Sequence, residues 1–395
     1  MLSACGSGFG GSSSSTATGL SSSTSGLSVL IGSSGQAETD AVTAAVSQWS
    51  SGSGVSAKVA TANDLPQQLS QGFAAKKPAD VFYLAPDYLA GYSSNGSLLS
   101  YGDQLSNKGD FYPSLVKAFT QDNKFYCAPK DFSTLQLVIN TKLWAAAGLS
   151  DADVPTSWDQ LAAVAKKLTT GGVVGLSTSS EYARLGVFMA QAGGTLLDDS
   201  QKPVANSAAN IKALDYVKSL LSAGSLKFAK DLGAGWAGEA FGKGQAAMTI
   251  EGNWIVGGLS KDYPNISYKV LELPAGPAGK GTLQFSNCWG IAADSPNQKA
   301  ALDLVQKLTS TDSQLAFSKA FGPMPSVKSA ADQWTAQNPA LVPFLKGADY
   351  AQNVPVTKGS ADVIKDLNSK LESLASSDPK TILDAAQKNL EALGK

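Results

Sequence analysis

Residues 28–87 read SVLIGSSGQAETDAVTAAVSQWSSGSGVSAKVATANDLPQQLSQGFAAKKPADVFYLAPD. Ser28–Gly32 is a short apolar run bounded by Ser and Gly, the pattern of a buried strand. Val42, Ala45, Val46 and Trp49 then recur at helical spacing. Val55–Ala60 reads as a second strand, and Leu65, Leu69 and Phe73 mark a second helical stripe. Asp80–Leu84 is a third strand, running into a turn or helix start at Ala85-Pro86-Asp87. Strand, helix, strand, helix, strand at this spacing builds a parallel sheet wrapped by helices, an α/β fold.

The same alternation continues outward. Leu135, Leu137 and Ile139 alternate in a strand ending at Asn140. Ser157 with Gln160 three residues on opens a helix carrying Trp158, Leu161, Ala165 and Leu168. A helix over 210–221 stops before Gly224, a C-terminal glycine. Strands are expected at Met248–Ile250, Tyr268–Leu273 and Ser286–Ala292, followed by a helix with Leu302, Val305 and Leu308. The last 35 residues are helical by the spacing of Leu367, Leu371 and Leu374, then Ile382, Leu383, Ala386 and Leu390. At 395 residues the chain is long enough for two lobes.

Composition narrows the function classes. Net charge is −1 with no basic block, so the electrostatic footprint of a nucleic-acid or anionic-membrane binder is absent. There is no histidine, which removes Ser-His-Asp and Cys-His nucleophiles, His-ligated zinc and a histidine proton shuttle. Thirty lysines face a single arginine, Arg184. No apolar run spans a bilayer, and no cofactor is implied.

The beginning of the chain has its own character. Residues 6–27 are a Gly/Ser/Thr tract with almost nothing to bury, which makes a flexible tether. Just before it, Leu2-Ser3-Ala4-Cys5 resembles the lipobox of a bacterial lipoprotein, in which the cysteine is lipidated. That resemblance implies a protein anchored through Cys5 on the extracellular face of the bacterial cytoplasmic membrane, where disulfides are permitted.

Four segments of the body resemble one family. Pro78-Ala-Asp80-Val-Phe-Tyr-Leu-Ala-Pro-Asp87, with Gly91-Tyr92 and Gly96-Ser-Leu98-Leu99, is the first. Phe125-Tyr-Cys-Ala-Pro-Lys-Asp131-Phe-Ser-Thr134, continuing to Ile139-Asn-Thr-Lys-Leu143, is the second. Ala240-Phe-Gly-Lys-Gly-Gln-Ala-Ala-Met-Thr-Ile-Glu-Gly-Asn-Trp254 is the third, and Gly322-Pro-Met-Pro325 the fourth. In this order and spacing they resemble the extracellular carbohydrate-binding proteins of ABC importers, the maltose-binding-protein-like class. The resemblance implies a two-lobed periplasmic-binding-protein-like fold, each lobe a mostly parallel sheet flanked by helices, with the ligand between lobes. The implied N-lobe is 28–131 and 287–326, and the C-lobe 132–286 and 327–395. It also implies a monomer that hands an oligosaccharide to the membrane permease of the importer.

A sugar presents hydroxyl edges and apolar C–H faces, which call for carboxylates or amides and for aromatic rings. Asp87 matches the family's sugar-contacting aspartate, and it reads otherwise as a helix N-cap after Pro86. Asp131 matches a position near the cleft, and Trp254 the family's stacking ring. Gln36 and Glu38 follow the first strand, where Glu38 also fits the favourable field of a helix N-terminus. Glu181 aligns with an acid on the far side of the cleft. Trp236, Trp289, Asn287 and Lys358 are further candidates by position. Where the maltose-binding relatives carry an aromatic pair, this chain has Lys358-Gly359-Ser360, which implies a different stacking surface. Cys127 and Cys288 fall in the two segments that by resemblance cross between lobes, and in an exported protein they are expected to pair.

The expected function is binding of a neutral oligosaccharide, with a malto-oligosaccharide or other α-glucoside first and a β-glucoside or xylo-oligosaccharide as alternatives. A carboxylate-based glycosidase using Asp87 and Asp131 is the competing enzyme reading. A receptor for iron, polyamine or peptide is the third, although no tyrosine cluster suited to iron stands out.

Overall fold

The computed structural model describes residues 19–393. The stretch at 28–87 folds as its pattern predicts. Strands Leu27–Ile31, Ala57–Thr61 and Val81–Leu84 run parallel, with Val29 opposite Val59 on one side and Val81 on the other. The helix Gln36–Ser53 crosses between the first two, burying Glu38, Val42, Val46 and Trp49 at helical spacing. Gly54 ends it at φ 73, a left-handed position that costs glycine nothing. The five-stranded first sheet is completed by Cys288–Ile291 and Ala128–Pro129. Cys288–Ile291 runs antiparallel to both of its neighbours, because it carries the chain back from the second lobe.

The second sheet has the order Leu226–Phe228, Val174–Thr178, Ala246–Glu251, Gln136–Asn140, Tyr268–Leu271. Its first three strands are parallel, and Gln136–Asn140 is antiparallel to both neighbours. Val174–Thr178, Ala246–Glu251 and Gln136–Asn140 are buried at every position, as strands covered by helices on both faces must be. One covering helix is Trp158–Leu168, where Ser157 Oγ accepts from Gln160 N–H. The Gln160 side chain accepts instead from Thr156 N–H at 2.7 Å, one residue before the expected reciprocal partner.

The lobes are joined by a three-stranded sheet: Ser133–Thr134, Thr282–Phe285 and Ala351–Asn353. The strand expected at Ser286–Ala292 is the shorter Cys288–Ile291, preceded by a separate strand that the pattern did not mark. Phe285 ends the joining sheet, Cys288 begins the first sheet, and Ser286 and Asn287 turn the chain between them. Helices Gln298–Leu308 and Thr311–Phe321 pack on Gln36–Ser53 in the first lobe. Residues 327–334, expected in the second lobe, bond to the first: Ser329 N–H donates to Asp110 Oδ1 at 2.9 Å, and Trp334 Nε1 to Ser318 Oγ at 2.7 Å. Helices Ser360–Leu371 and Pro379–Leu393 belong to the second lobe's core.

Cys127 and Cys288 form a disulfide, with Cα atoms 5.5 Å apart across 161 residues of sequence. Both are fully buried. The bond ties the strand leaving the first lobe to the strand re-entering it, so both crossings are fixed to one body at their base.

Candidate ligand-binding site

A cavity of about 1150 Å³ lies between the lobes. On the first lobe its wall is built beyond the carboxyl ends of parallel strands, by Gly32, Ser34 and Glu38 after the first strand and Ala85–Asp87 after the third. The second lobe contributes Asn253 and Trp254, just past the end of Ala246–Glu251. Lys130, Asp131, Phe285 and Asn287 come from the crossings.

Charge is concentrated at the first-lobe end. Lys130 is buried, with Nζ 3.0 Å from Glu38 Oε1, in ion-pair contact with Asp131, and 4.5 Å from the centre of the Tyr83 ring. Glu38 Oε1 also accepts from Tyr83 O–H at 3.0 Å, and its Oε2 accepts from the N–H and O–H of Ser34, each at 2.7 Å. Four donors fill the roughly four lone-pair sites of that carboxylate. Glu38 therefore lies on the wall but holds Lys130, Tyr83 and Ser34 in place. Burial alone would raise its carboxyl, yet the Lys130 ammonium and the Ser34 donors outweigh this and hold it below the usual carboxylate value. Burial would likewise lower Lys130, and Asp131 and Glu38 more than reverse that, keeping it charged. Burial pushes Asp131 up, and Lys130 offsets only part of the rise.

Asp87 stands in the first turn of Pro86–Ser94, whose N-cap is Ala85, so Asp87 is not the cap. Its side chain opens onto the cavity, while the surrounding walls exclude enough water to raise its carboxyl. Trp254 opens the helix Trp254–Asp262 and remains 37% exposed on the cavity wall. Phe285 meets it edge-on, with ring centres 5.6 Å apart. Asn287 lines the cavity and accepts Lys130 N–H with its carbonyl at 2.8 Å.

Five expected site residues stand elsewhere. Trp289 is 1% exposed, packed edge-to-face on Tyr83 at 4.7 Å in the middle of the first sheet, and is a core residue. Gln36 lies on the exposed face of its helix and donates to Asp40 at 2.8 Å. Trp236 is half-buried, with its ring against Gly238 and Gly258 and off the cavity wall. Glu181 precedes the helix Tyr182–Gln191 and pairs with Arg184 at 3.4 Å. Lys358 is exposed in the turn before Ser360–Leu371, and in place of an aromatic pair that side of the wall carries Val356, Ile364 and Lys365. Cys5 lies outside the described residues.

Lys130, Ser34 and Glu251 carry no local signal in the sequence, and Arg184 stands out only as the single arginine. Lys130 and Glu251 lie inside the segments quoted above, but only tertiary packing shows that each is a buried charge. Among the described residues no group of three or more Asp, Glu or Cys is placed to hold a metal ion.

Comparison with known proteins agrees with this architecture. Residues 44–343 match the family model of the bacterial extracellular solute-binding proteins. The diacetylchitobiose-binding protein DasA of Streptomyces coelicolor is 24% identical over 311 residues, covering 76% of this chain and 70% of DasA. The cyclic α-maltosyl-1,6-maltose-binding protein of Arthrobacter globiformis superposes with a TM-score of 0.82 at 22% identity, covering 93% of this chain and 98% of that one. The sugar-binding protein MalE of Xanthomonas citri gives 0.81 at 18% identity, covering 94% and 98%. Two sheets joined by crossing strands, an interlobe cavity and a family match over three quarters of the sequence converge: the chain belongs to the bacterial extracellular solute-binding proteins and has the two-lobed, maltose-binding-protein-like fold.

Proposed function

We propose that the protein binds a neutral oligosaccharide in the interlobe cavity and delivers it to an ABC-type sugar importer. One observation carries this reading: an exposed indole from one lobe faces a cavity whose opposite wall holds the carboxylates Asp87 and Asp131. The ring suits the apolar face of a sugar and the carboxylates its hydroxyls. Neutral cargo follows from the cations. Lys130 is engaged by Glu38 and Asp131, which leaves Lys365 as the wall's other cation, and Arg forks for phosphate or carboxylate are missing from it.

A malto-oligosaccharide or other α-glucoside is the first candidate, supported by the cyclic maltosyl-maltose receptor of the same fold. The diacetylchitobiose receptor among the relatives keeps β-linked glycans as the alternative. We read the site as one that releases its ligand unchanged, since Asp131 is committed to Lys130 rather than free for acid–base work. The protein acts as a monomer, lipid-anchored through Cys5, with the Gly/Ser tether spanning to the permease at the membrane.

A thermal-shift screen against maltotetraose, cellotetraose, xylotetraose and diacetylchitobiose tests the reading. A ligand at one hundred times its Kd stabilises the native state by about 2.7 kcal/mol, so one glycan should raise Tm without release of reducing sugar. No shift with any glycan would overturn it, and so would hydrolysis.

A further inference from the structure

The single arginine of the chain lies behind the cavity's exposed tryptophan. Arg184 donates to Glu251 Oε2 from Nε at 3.1 Å and from Nη2 at 2.9 Å. Trp254 Nε1 donates to the same oxygen, also at 2.9 Å. The guanidinium carbon sits 5.1 Å from the centre of the Trp254 ring. The indole further rests on Gly252, where a Cβ would overlap it.

An exposed aromatic ring ordinarily samples several rotamers, and binding must then arrest it at an entropic cost. Trp254 is 37% exposed, yet it is held at its nitrogen by Glu251, over its ring by Arg184, at its base by Gly252 and at its edge by Phe285. We propose that Arg184 and Glu251 are positioning residues that clamp the Trp254 ring in its binding orientation before the ligand arrives. This rests on reading the cavity as a sugar site.

The distribution of bonds separates a clamp from a stabilising ion pair. Three donors converge on Oε2, whereas Oε1 of the same fully buried carboxylate has no hydrogen-bond partner among the described residues. An arrangement that served only to neutralise Glu251 would spread its donors over both oxygens. As built, it fixes the Trp254 nitrogen and the guanidinium relative to one another. Lysine cannot replace this arginine, because a point ammonium lacks the planar fork that reaches Glu251 while covering the ring.

The experiment has two arms on the full-length chain. In the first, without ligand, tryptophans carry a fluorine label and the Trp254 resonance is assigned by its loss in Trp254→Phe. Arg184→Lys and Glu251→Gln should each shift or broaden that resonance, with the other tryptophan signals unchanged as the check on folding. A Trp254 resonance identical to wild type in both variants would overturn the clamp. In the second arm, the glycan that raised Tm in the screen is titrated by calorimetry. Arg184→Lys should weaken binding roughly tenfold, the scale of one charge-assisted contact, and should have no further effect in a Trp254→Ala background. Additive losses in that double-mutant cycle would overturn the proposal. If no glycan binds wild type, the sugar reading fails while the first arm still decides the clamp.

Discussion

Lys130 Nζ lies 3.0 Å from Glu38 Oε1, so a residue where the chain leaves the first lobe is bonded to one in the first helix, 92 positions away. The pair couples the crossing to the lobe it departs from. With Glu38 saturated by four donors, Asp87 and Asp131 are the acids of that wall left to meet the hydroxyls of the proposed ligand. This division of labour distinguishes the acids of the first-lobe wall.

Glu38→Gln should lower stability by about 3–5 kcal/mol, the cost of removing one partner from a buried ion pair, while changing glycan affinity little. Chemical denaturation and calorimetry on the same variant check both halves. The sign of the pH dependence follows from its lowered carboxyl. Stability from Glu38 is present above the ordinary glutamate pKa and is lost as pH falls through the lower folded value. Relative to wild type, the glutamine variant should therefore lose less on acidification.

Asp87 behaves oppositely. Its carboxyl is raised in the folded state, so ionising it costs stability as pH rises from the ordinary aspartate value through the folded one. Asp87→Asn should weaken glycan binding and raise Tm at neutral pH only slightly, since the residue is exposed to solvent at the cavity wall, as one melting series with and without ligand reads.

Trp254→Ala should weaken binding by about 1–3 kcal/mol through lost stacking area. Because the ring is 37% exposed, the melting point should move far less than a core tryptophan would move it. Trp289→Ala is the control: a ring 1% exposed in the first sheet should cost about 3–5 kcal/mol of stability.

Cys127 and Cys288 should resist alkylation in the unreduced, unfolded protein and react after reduction, as mass spectrometry reads directly. Replacing both should cost about 2–5 kcal/mol, seen as a lower denaturation midpoint.

Much of this was legible in the sequence because it is local. Period-2 and period-3.6 patterns placed the strands and helices, and the motif around Trp254 placed its ring just beyond a strand end. Gln36 could have been separated from Glu38 by the same logic: two positions apart on a helix, they face opposite sides once Glu38 joins the stripe of Val42 and Val46. Trp289 could not be read this way. Its burial depends on Cys288–Ile291 inserting between Val81–Leu84 and Ala128–Pro129, a pairing set by sheet order across about two hundred residues. Nor does local pattern reveal that Lys130 occupies Glu38, or that Arg184 backs Trp254 from a different helix.

The most direct test of a cleft that grips sugar from both lobes is titration calorimetry of wild type, Trp254→Ala and Asp131→Asn with the glycan selected by the thermal screen. One substitution comes from the second lobe, the other from the crossing at the first. The expected result is single-site binding to wild type, weakened by each substitution alone while both variants stay folded. Binding unaffected by either substitution would contradict the placement of the site.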